Sequence, residues 1–292
     1  MNLEAIGRRL RSAGYSFVTP TPATHRRVLA RGGAARTLRD VFGWSKPFER
    51  GLVPEDLLTL LGDELLREGD LYKSGVRFSS LEDTLFAHSA FPTVQADAVF
   101  FGPDTYRFVE LLRSRISEAG DVADIGCGSG AGGISLAGRS RSVQLLDINP
   151  KALDFAAANA KLNGVQVRLA ESDLLANAEG PLDLIVANPP YIADSQGRAY
   201  RDGGSSLGTA LSARICEESL QRLRPGGRLL LYTASPVVEG RHVLWPQLAP
   251  FLRNLPYDYR ELDPDVFGEE LDEPAYSQAE RIAVVALDVI KH

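Results

Sequence analysis

The spacing of apolar residues changes character near residue 100. Beyond it, short apolar runs alternate with stretches of helical period: "DVADI" (121–125), "SVQLLD" (142–147), "VQVRLAE" (165–171), "LDLIVA" (182–187) and "RLLLYT" (228–233). Their apolar cores are continuous, which predicts parallel strands covered by helices on both faces. Helices are predicted from Ala131, over 150–163 and through "ARICEESLQRL" (213–223). Pro150 in the first turn and Gly164 beyond the last delimit the second of them. An earlier helix has Phe108, Val109, Leu112 and Ile116 at helical spacing; Asp104 or Thr105 is its predicted cap and Gly120 its end. A last helix around 243–255 precedes "YDYREL" and "RIAVVALDVI", which complete the sheet.

Before residue 100 the periods are shorter. Helices are predicted at 3–12, 24–30, 38–42 and 54–67, followed by a hairpin-like alternation in "DLYKSGVRFSSLEDTLFAHS" (70–89). Helices and then a hairpin suggest a small, winged-helix-like domain over 1–100, ahead of an α/β domain over 101–292. A wing shape does not by itself license nucleic-acid binding.

Composition narrows the class. With 292 residues, 44% of them hydrophobic, there is enough apolar material for one large core and a smaller one. Cys127 and Cys216 are the only cysteines, so no disulfide framework is expected and a cytoplasmic setting follows. The opening "MNLEAIGRRL" lacks the apolar stretch of a signal peptide, and no run approaches the roughly 20 apolar residues of a membrane span. The net charge of −6 is unevenly spread. Residues 1–50 hold ten Lys/Arg against three Asp/Glu, and 256–292 hold three against ten. The basic end reads as solvated helical faces or as a patch touching RNA. His25, His88 and His242 are scattered without ligand spacing, so no metal is expected. Trp44 is expected in the core of the small domain.

The first strand runs into "DIGCGSGAGG". Gly126, Gly128 and Gly130 allow a sharp turn and close approach to a ligand, and the following helix offers amide N–H groups to a ligand's anionic end. Asp147, at the tip of the second strand, can accept from a ribose diol. Gly128 to Gly133 also spell the G-x-G-x-x-G of dinucleotide sites. Two details favour S-adenosylmethionine instead. The glycines begin directly off the strand at Gly126, and Asp124 lies where it can reach an ammonium group. Asp173, in "AESDLL", can accept from an adenine amino group, and Cys127 is a small filler between glycines.

The fourth strand ends in "LIVANPPYIA" (184–193). In a doubly wound sheet the strand tips face the ligand crevice. Asn188 offers a side-chain carbonyl there and Pro189 a main-chain carbonyl; two rigid acceptors suit a planar –NH2 group, on which Tyr191 can stack. This arrangement points to methylation of a nitrogen.

From about Phe101 onward the chain resembles class I S-adenosylmethionine-dependent methyltransferases with an Asn-Pro-Pro-Tyr motif, and within them the HemK-like release-factor glutamine methyltransferases. The matching stretches are "DIGCGSGAGG", "LLDINPKAL", "SDLL", "NPPYI", "YRDGGSSLG" and "LRPGGRLLL". The resemblance implies a Rossmann-like seven-stranded sheet with a reversed final strand. It also places Asp124, Gly126, Gly128, Gly130, Asp147, Asp173 and Asn188 around the cofactor, and Asn188, Pro189 and Tyr191 around the target nitrogen. The implied partner is a protein substrate, a translation factor, methylated on a glutamine amide. RNA or DNA, methylated on adenine or guanine, is the alternative; an NAD-dependent dehydrogenase or a non-catalytic cofactor-binding module is another. Two features depart from the family. "FFGPDTY" has Gly102 where the glutamine enzymes carry an arginine, and the first 100 residues differ from an all-helical domain. The acidic "DPDVFGEELDEPAY" is read as a solvated loop, or as a border of the substrate mouth that repels polyanions.

Overall fold

The computed structural model describes residues 2–193 and 201–292; Tyr200, the first residue of the "YRDGGSSLG" stretch, lies outside them. The first part of the chain carries α1 (Leu3–Ser12), α2 (Pro22–Leu29), α3 (Leu38–Phe42) and α4 (Glu55–Leu61). Two hairpins follow, β1 (Leu65–Glu68) with β2 (Leu71–Ser74), and β3 (Val76–Leu81) with β4 (Thr84–Ser89).

The second part runs α5 (Pro103–Arg115), β5 (Ala119–Ile125), α6 (Ala131–Leu136), β6 (Ser140–Asp147), α7 (Pro150–Leu162), β7 (Arg168–Glu171) and β8 (Leu182–Ala187). It continues with the four-residue turn α8 (Ser205–Gly208), α9 (Ala210–Arg222), β9 (Leu223–Val238), β10 (Arg241–His242), α10 (Trp245–Leu248), β11 (Tyr257–Asp263) and β12 (Arg281–Ile290). The main sheet has the order β11-β12-β9-β8-β5-β6-β7, with β10 beside β9. The strands from β9 to β7 are parallel, and β12 runs against both β9 and β11. This is a Rossmann-like sheet with its final strand reversed.

Strand residues alternate between two apolar layers. Val122, Leu184, Val186 and Leu230 face α5, α6 and α7, whereas Ala123, Ile125, Ile185 and Leu229 face α9 and α10. Burying each Leu or Val stabilises by roughly 1.5–3 kcal/mol, against about 1 kcal/mol net for one hydrogen bond. The layers therefore decide the fold, and the strand tips are free to carry chemistry. The first strand β5 lies between β6 and β8, so the order reverses there and a crevice opens outside the strand ends. The smaller core, around Phe42, Phe78 and Leu57, also takes in Ala152, Phe155 and Leu162 of α7.

Several sequence expectations need correction. The helix expected over 54–67 stops at Leu61, because Gly62 adopts φ +55 and the chain turns into β1. The single hairpin over 70–89 therefore becomes two. The cap of α5 is Gly102, with Pro103 in the first turn. Asp104 instead sends its carboxylate to the Tyr232 hydroxyl, 3.0 Å away. Gly120 does not end α5 but lies in β5, where a side chain would strike the Asp183 carboxylate. The helix expected over 243–255 is limited to α10, since Pro250 has no N–H with which to continue it. Trp44 is half-buried and meets Phe17 edge-on at 5.2 Å in the first part of the chain.

His25 and His88 are not scattered in space. Both lie beside the buried Arg77: His25 Nδ1 is 3.4 Å from its guanidinium, and His88 is 2.7 Å from Ser79 Oγ. Burial first, and then the Arg77 charge, lower both imidazoles, His25 to about 4. His242 stands apart from them, 2.8 Å from the Tyr259 hydroxyl. Among the described residues no helix is long and apolar enough to cross a membrane.

Candidate active site

One cavity of about 1150 Å³ lies outside the tips of β5, β6 and β8. Asp124, Gly126, Gly128, Asp147, Asp173, Asn188, Pro189 and Tyr191 all line it. Gly130 does not. It sits behind the loop at φ +80, where a Cβ would press on Ile134 and Ala156, and its part is to turn the chain into α6.

The glycine loop is held through its backbone amides, two of them donating to β6. Cys127 N–H donates to Leu146 O (3.0 Å), and Gly130 N–H donates to Cys127 O (2.8 Å). Gly128 N–H donates to Asp147 Oδ2 (2.8 Å), while Asn149 N–H donates to Asp147 Oδ1 (2.9 Å). Asp147 thus clamps the loop and keeps spare lone pairs for a ligand. Asp124 Oδ2 accepts from Gly133 N–H at 2.7 Å, in the first turn of α6. One of the amides expected to meet a ligand is therefore already taken by the protein's own carboxylate. Burial raises Asp124 to about 7; the Gly133 bond opposes this shift and the Asp147 charge adds to it. Burial also raises Asp147, against the donors Asn149 and Gly128. Burial pushes the Cys127 thiol well up, consistent with a filler between glycines and not a nucleophile.

These residues fit S-adenosylmethionine. At Gly126 (φ +64) and Gly128 (φ +53) a Cβ would enter open space, so the loop leaves a cradle beside two buried carboxylates. A carboxylate pair with raised proton affinity suits a cationic ligand carrying a ribose diol. Asp173 is more exposed and pairs with Arg214 at 2.9 Å.

The Asn-Pro-Pro-Tyr stretch emerges from β8. Among the described residues the Asn188 amide makes no hydrogen bond, and it faces the cavity. Tyr191 is buried with its hydroxyl near the Asp104 carboxylate, which accepts from Tyr232. Asp104 also lies 3.5 Å from Arg107, which reaches Asp263 at 2.9 Å. Burial raises Asp104 in spite of these partners. Behind the loop, Ile192 N–H donates to Arg201 O (3.0 Å) and Gly203 N–H donates to Ile192 O (2.8 Å). A Cβ at Gly203 would come within 2.7 Å of Tyr191 Cα, and one at Gly208 within 2.5 Å of Tyr191 O. That close approach explains the glycines of the "YRDGGSSLG" stretch.

Sequence reasoning missed the structural roles of Asp104, Arg107 and Phe267, whose ring lies 5.8 Å from that of Tyr191. "PDTY" offered a signal for Asp104, but it looked like a helix cap. Of the two readings of the acidic stretch, the structure brings the mouth-lining one to the cavity. Asp263, Asp265, Glu269 and Glu270 all border it, and Arg26 of α2 meets Glu269 at 2.7 Å.

Comparison with known proteins agrees with this architecture. Residues 101–244 match the methyltransferase small domain. A release factor glutamine methyltransferase of Deinococcus radiodurans is 32% identical over 192 residues, 61% of this chain and 66% of that protein. One from Bacillus subtilis is 34% identical over 163 residues, 51% of this chain and 57% of that protein. The chain thus spans between half and two thirds of these curated relatives. Among solved structures, the tRNA m1G37 methyltransferase of M. jannaschii has TM-score 0.51 at 16% identity, covering 75% of this chain and 57% of that one. Trm5b from Pyrococcus abyssi has TM-score 0.52 at 18% identity, covering 78% and 62%. At such identities the likeness is one of fold. With the small-domain match over the same strands that build the cavity, the chain belongs to the class I S-adenosylmethionine-dependent methyltransferases and is HemK-like.

Proposed function

We propose that this chain methylates the side-chain amide nitrogen of a glutamine in a protein, a translation factor. The observation that carries the reading is the unpartnered Asn188 amide, in the same cavity as the glycine loop and Asp147. S-adenosylmethionine, when bound, supplies a methyl group on a positively charged sulfur. The Asn188 and Pro189 carbonyls accept the two N–H groups of the target amide and hold its nitrogen towards that methyl. An amide is a poor nucleophile, so alignment has to provide most of the acceleration, and orientation can supply up to about 7–11 kcal/mol. Tyr191, buried beside Asp104, gives the planar amide a fixed wall. Asp124, Gly126, Gly128, Asp147 and Asp173 serve the cofactor end.

Two further observations favour a protein target. The relatives matched over this region are named for glutamine methylation of release factors. The cavity mouth carries Asp263, Asp265, Glu269 and Glu270 against Arg26, Arg107 and Arg201, a slight excess of negative charge that disfavours a polyanion. Half of the basic N-terminal charge is already compensated, since Arg8, Arg9, Arg26, Lys46 and Arg50 each pair with a carboxylate.

The test is transfer of label from methyl-labelled S-adenosylmethionine into a fractionated cell extract. The reading expects label in protein, released by acid hydrolysis as methylamine. Label that follows RNA or DNA through nuclease digestion would overturn it.

A further inference from the structure

The hairpin β3–β4 is a sheet of two strands, and β4 presents an open edge towards α7. Two asparagines fill that edge. Asn159 Oδ1 accepts from Ala87 N–H (2.7 Å), and its Nδ2 donates to Ala87 O (3.0 Å). One helical turn later, Asn163 Oδ1 accepts from Leu85 N–H (3.3 Å) and its Nδ2 donates to Leu85 O (3.0 Å). The spacing explains why this works. Four helical residues rise about 6 Å, and two strand residues rise about 6.8 Å. Side chains at i and i+4 on one helix face therefore meet alternate residues of a strand running alongside, as a third strand would.

The two amides differ in one respect. The second Nδ2 hydrogen of Asn159 reaches Ser129 O at 2.9 Å, in the middle of the glycine loop. Asn159 is wholly buried and Ser129 nearly so, so this bond has no water to replace it. Asn163 makes no bond to the loop; its remaining partners are Arg11 and the Asn159 carbonyl.

We propose that Asn159 is a positioning residue that couples the N-terminal domain to the cofactor loop, so that seating of β4 and binding of S-adenosylmethionine reinforce one another. The inference rests on the cofactor reading given above. Because such coupling is reciprocal, it can be read from either end.

The experiment compares Asn159→Ala with Asn163→Ala, measuring Tm and the affinity for S-adenosylmethionine by calorimetry. Both variants lose the latch to β4 and should melt lower. Asn159→Ala alone should weaken cofactor binding, by about 10-fold for a buried carbonyl left without its donor, while Asn163→Ala stays within about twofold. A second readout needs no variant: in the wild-type protein, saturating cofactor should slow hydrogen exchange at the Ala87 amide. Unchanged affinity in Asn159→Ala overturns the proposal, as does an equal loss in Asn163→Ala or Ala87 exchange that ignores the cofactor. Wild-type protein that binds no S-adenosylmethionine sinks the cofactor reading itself, a different and distinguishable failure.

Discussion

The two loops that face each other across the cavity leave neighbouring parallel strands, β5 and β8, yet they are made rigid in opposite ways. The glycine loop is held through its own amide N–H groups, which donate to Cys127 O within the loop and to Leu146 O and the Asp147 carboxylate of β6. The Asn-Pro-Pro-Tyr loop has two residues with no N–H to give, so it is held from outside. Tyr191 is buried beside Asp104, and Gly203 and Gly208 press against its backbone. The difference suits what each loop contacts. A cofactor loop has to turn its amides and carbonyls into a cradle, whereas the target loop has to leave its carbonyl acceptors unspent.

If the contrast is right, damage to the outer supports should slow methyl transfer and spare cofactor binding. The largest effect is expected at Gly208, whose φ of +84 and contact with Tyr191 O leave no room for a methyl. Gly208→Ala should displace the target loop and lower kcat by about 100-fold, the penalty for a misplacement on the order of 1 Å. Its affinity for S-adenosylmethionine should stay within about twofold; a parallel loss of affinity would show the loops to be one unit.

Asp104→Asn should come next, with kcat falling by about 10-fold as Tyr191 loses the charge beside it. Tyr191→Phe removes the hydroxyl beside that carboxylate, so if the two act together the double variant should be no worse than the poorer single one. Simple additivity would mean that Asp104 acts elsewhere.

The cofactor end should respond to pH. Asp124 titrates near 7 in the folded protein, above its ordinary 3.8. Protonation therefore favours the fold: the stability this group contributes is full below about 3.8 and is lost as pH rises through about 7. A cationic ligand favours the carboxylate and draws that value down. Cofactor affinity should accordingly rise a few-fold between pH 6 and 8, with a proton released on binding. In Asp124→Asn the calorimetric pH dependence should flatten; a slope that survives would assign the proton to another group.

The smallest effect is expected at the rim. The Arg26–Glu269 pair is more than half exposed at both ends, and such pairs contribute roughly 0–1 kcal/mol. Arg26→Ala should leave Tm nearly unchanged, and a loss beyond 1 kcal/mol in denaturant unfolding would give the rim a structural role it lacks in this account.

The same contrast marks what the sequence could reveal. The glycine loop, Asp147 and the Asn-Pro-Pro-Tyr stretch were legible because backbone needs dictate residue types locally. So were the strands of the main sheet, whose apolar runs are continuous. Asp104 was misread because its partner Tyr232 lies 128 residues away, and a carboxylate in a first helical turn looks like a cap. His25 and His88 look scattered along the sequence for a similar reason, since Arg77 joins them only through tertiary packing. The extra hairpin was hidden by Leu65 to Glu68, whose helical pattern yields to the turn at Gly62.

Whether Asn188 acts chiefly on the target nitrogen is decided by single-turnover methyl transfer in Asn188→Ala alongside calorimetry with S-adenosylmethionine. The rate should fall by about 100-fold, the usual loss for one preorganised hydrogen bond at a reacting centre, with cofactor affinity nearly unchanged. Full turnover in that variant, or a loss explained entirely by weaker cofactor binding, would contradict that role.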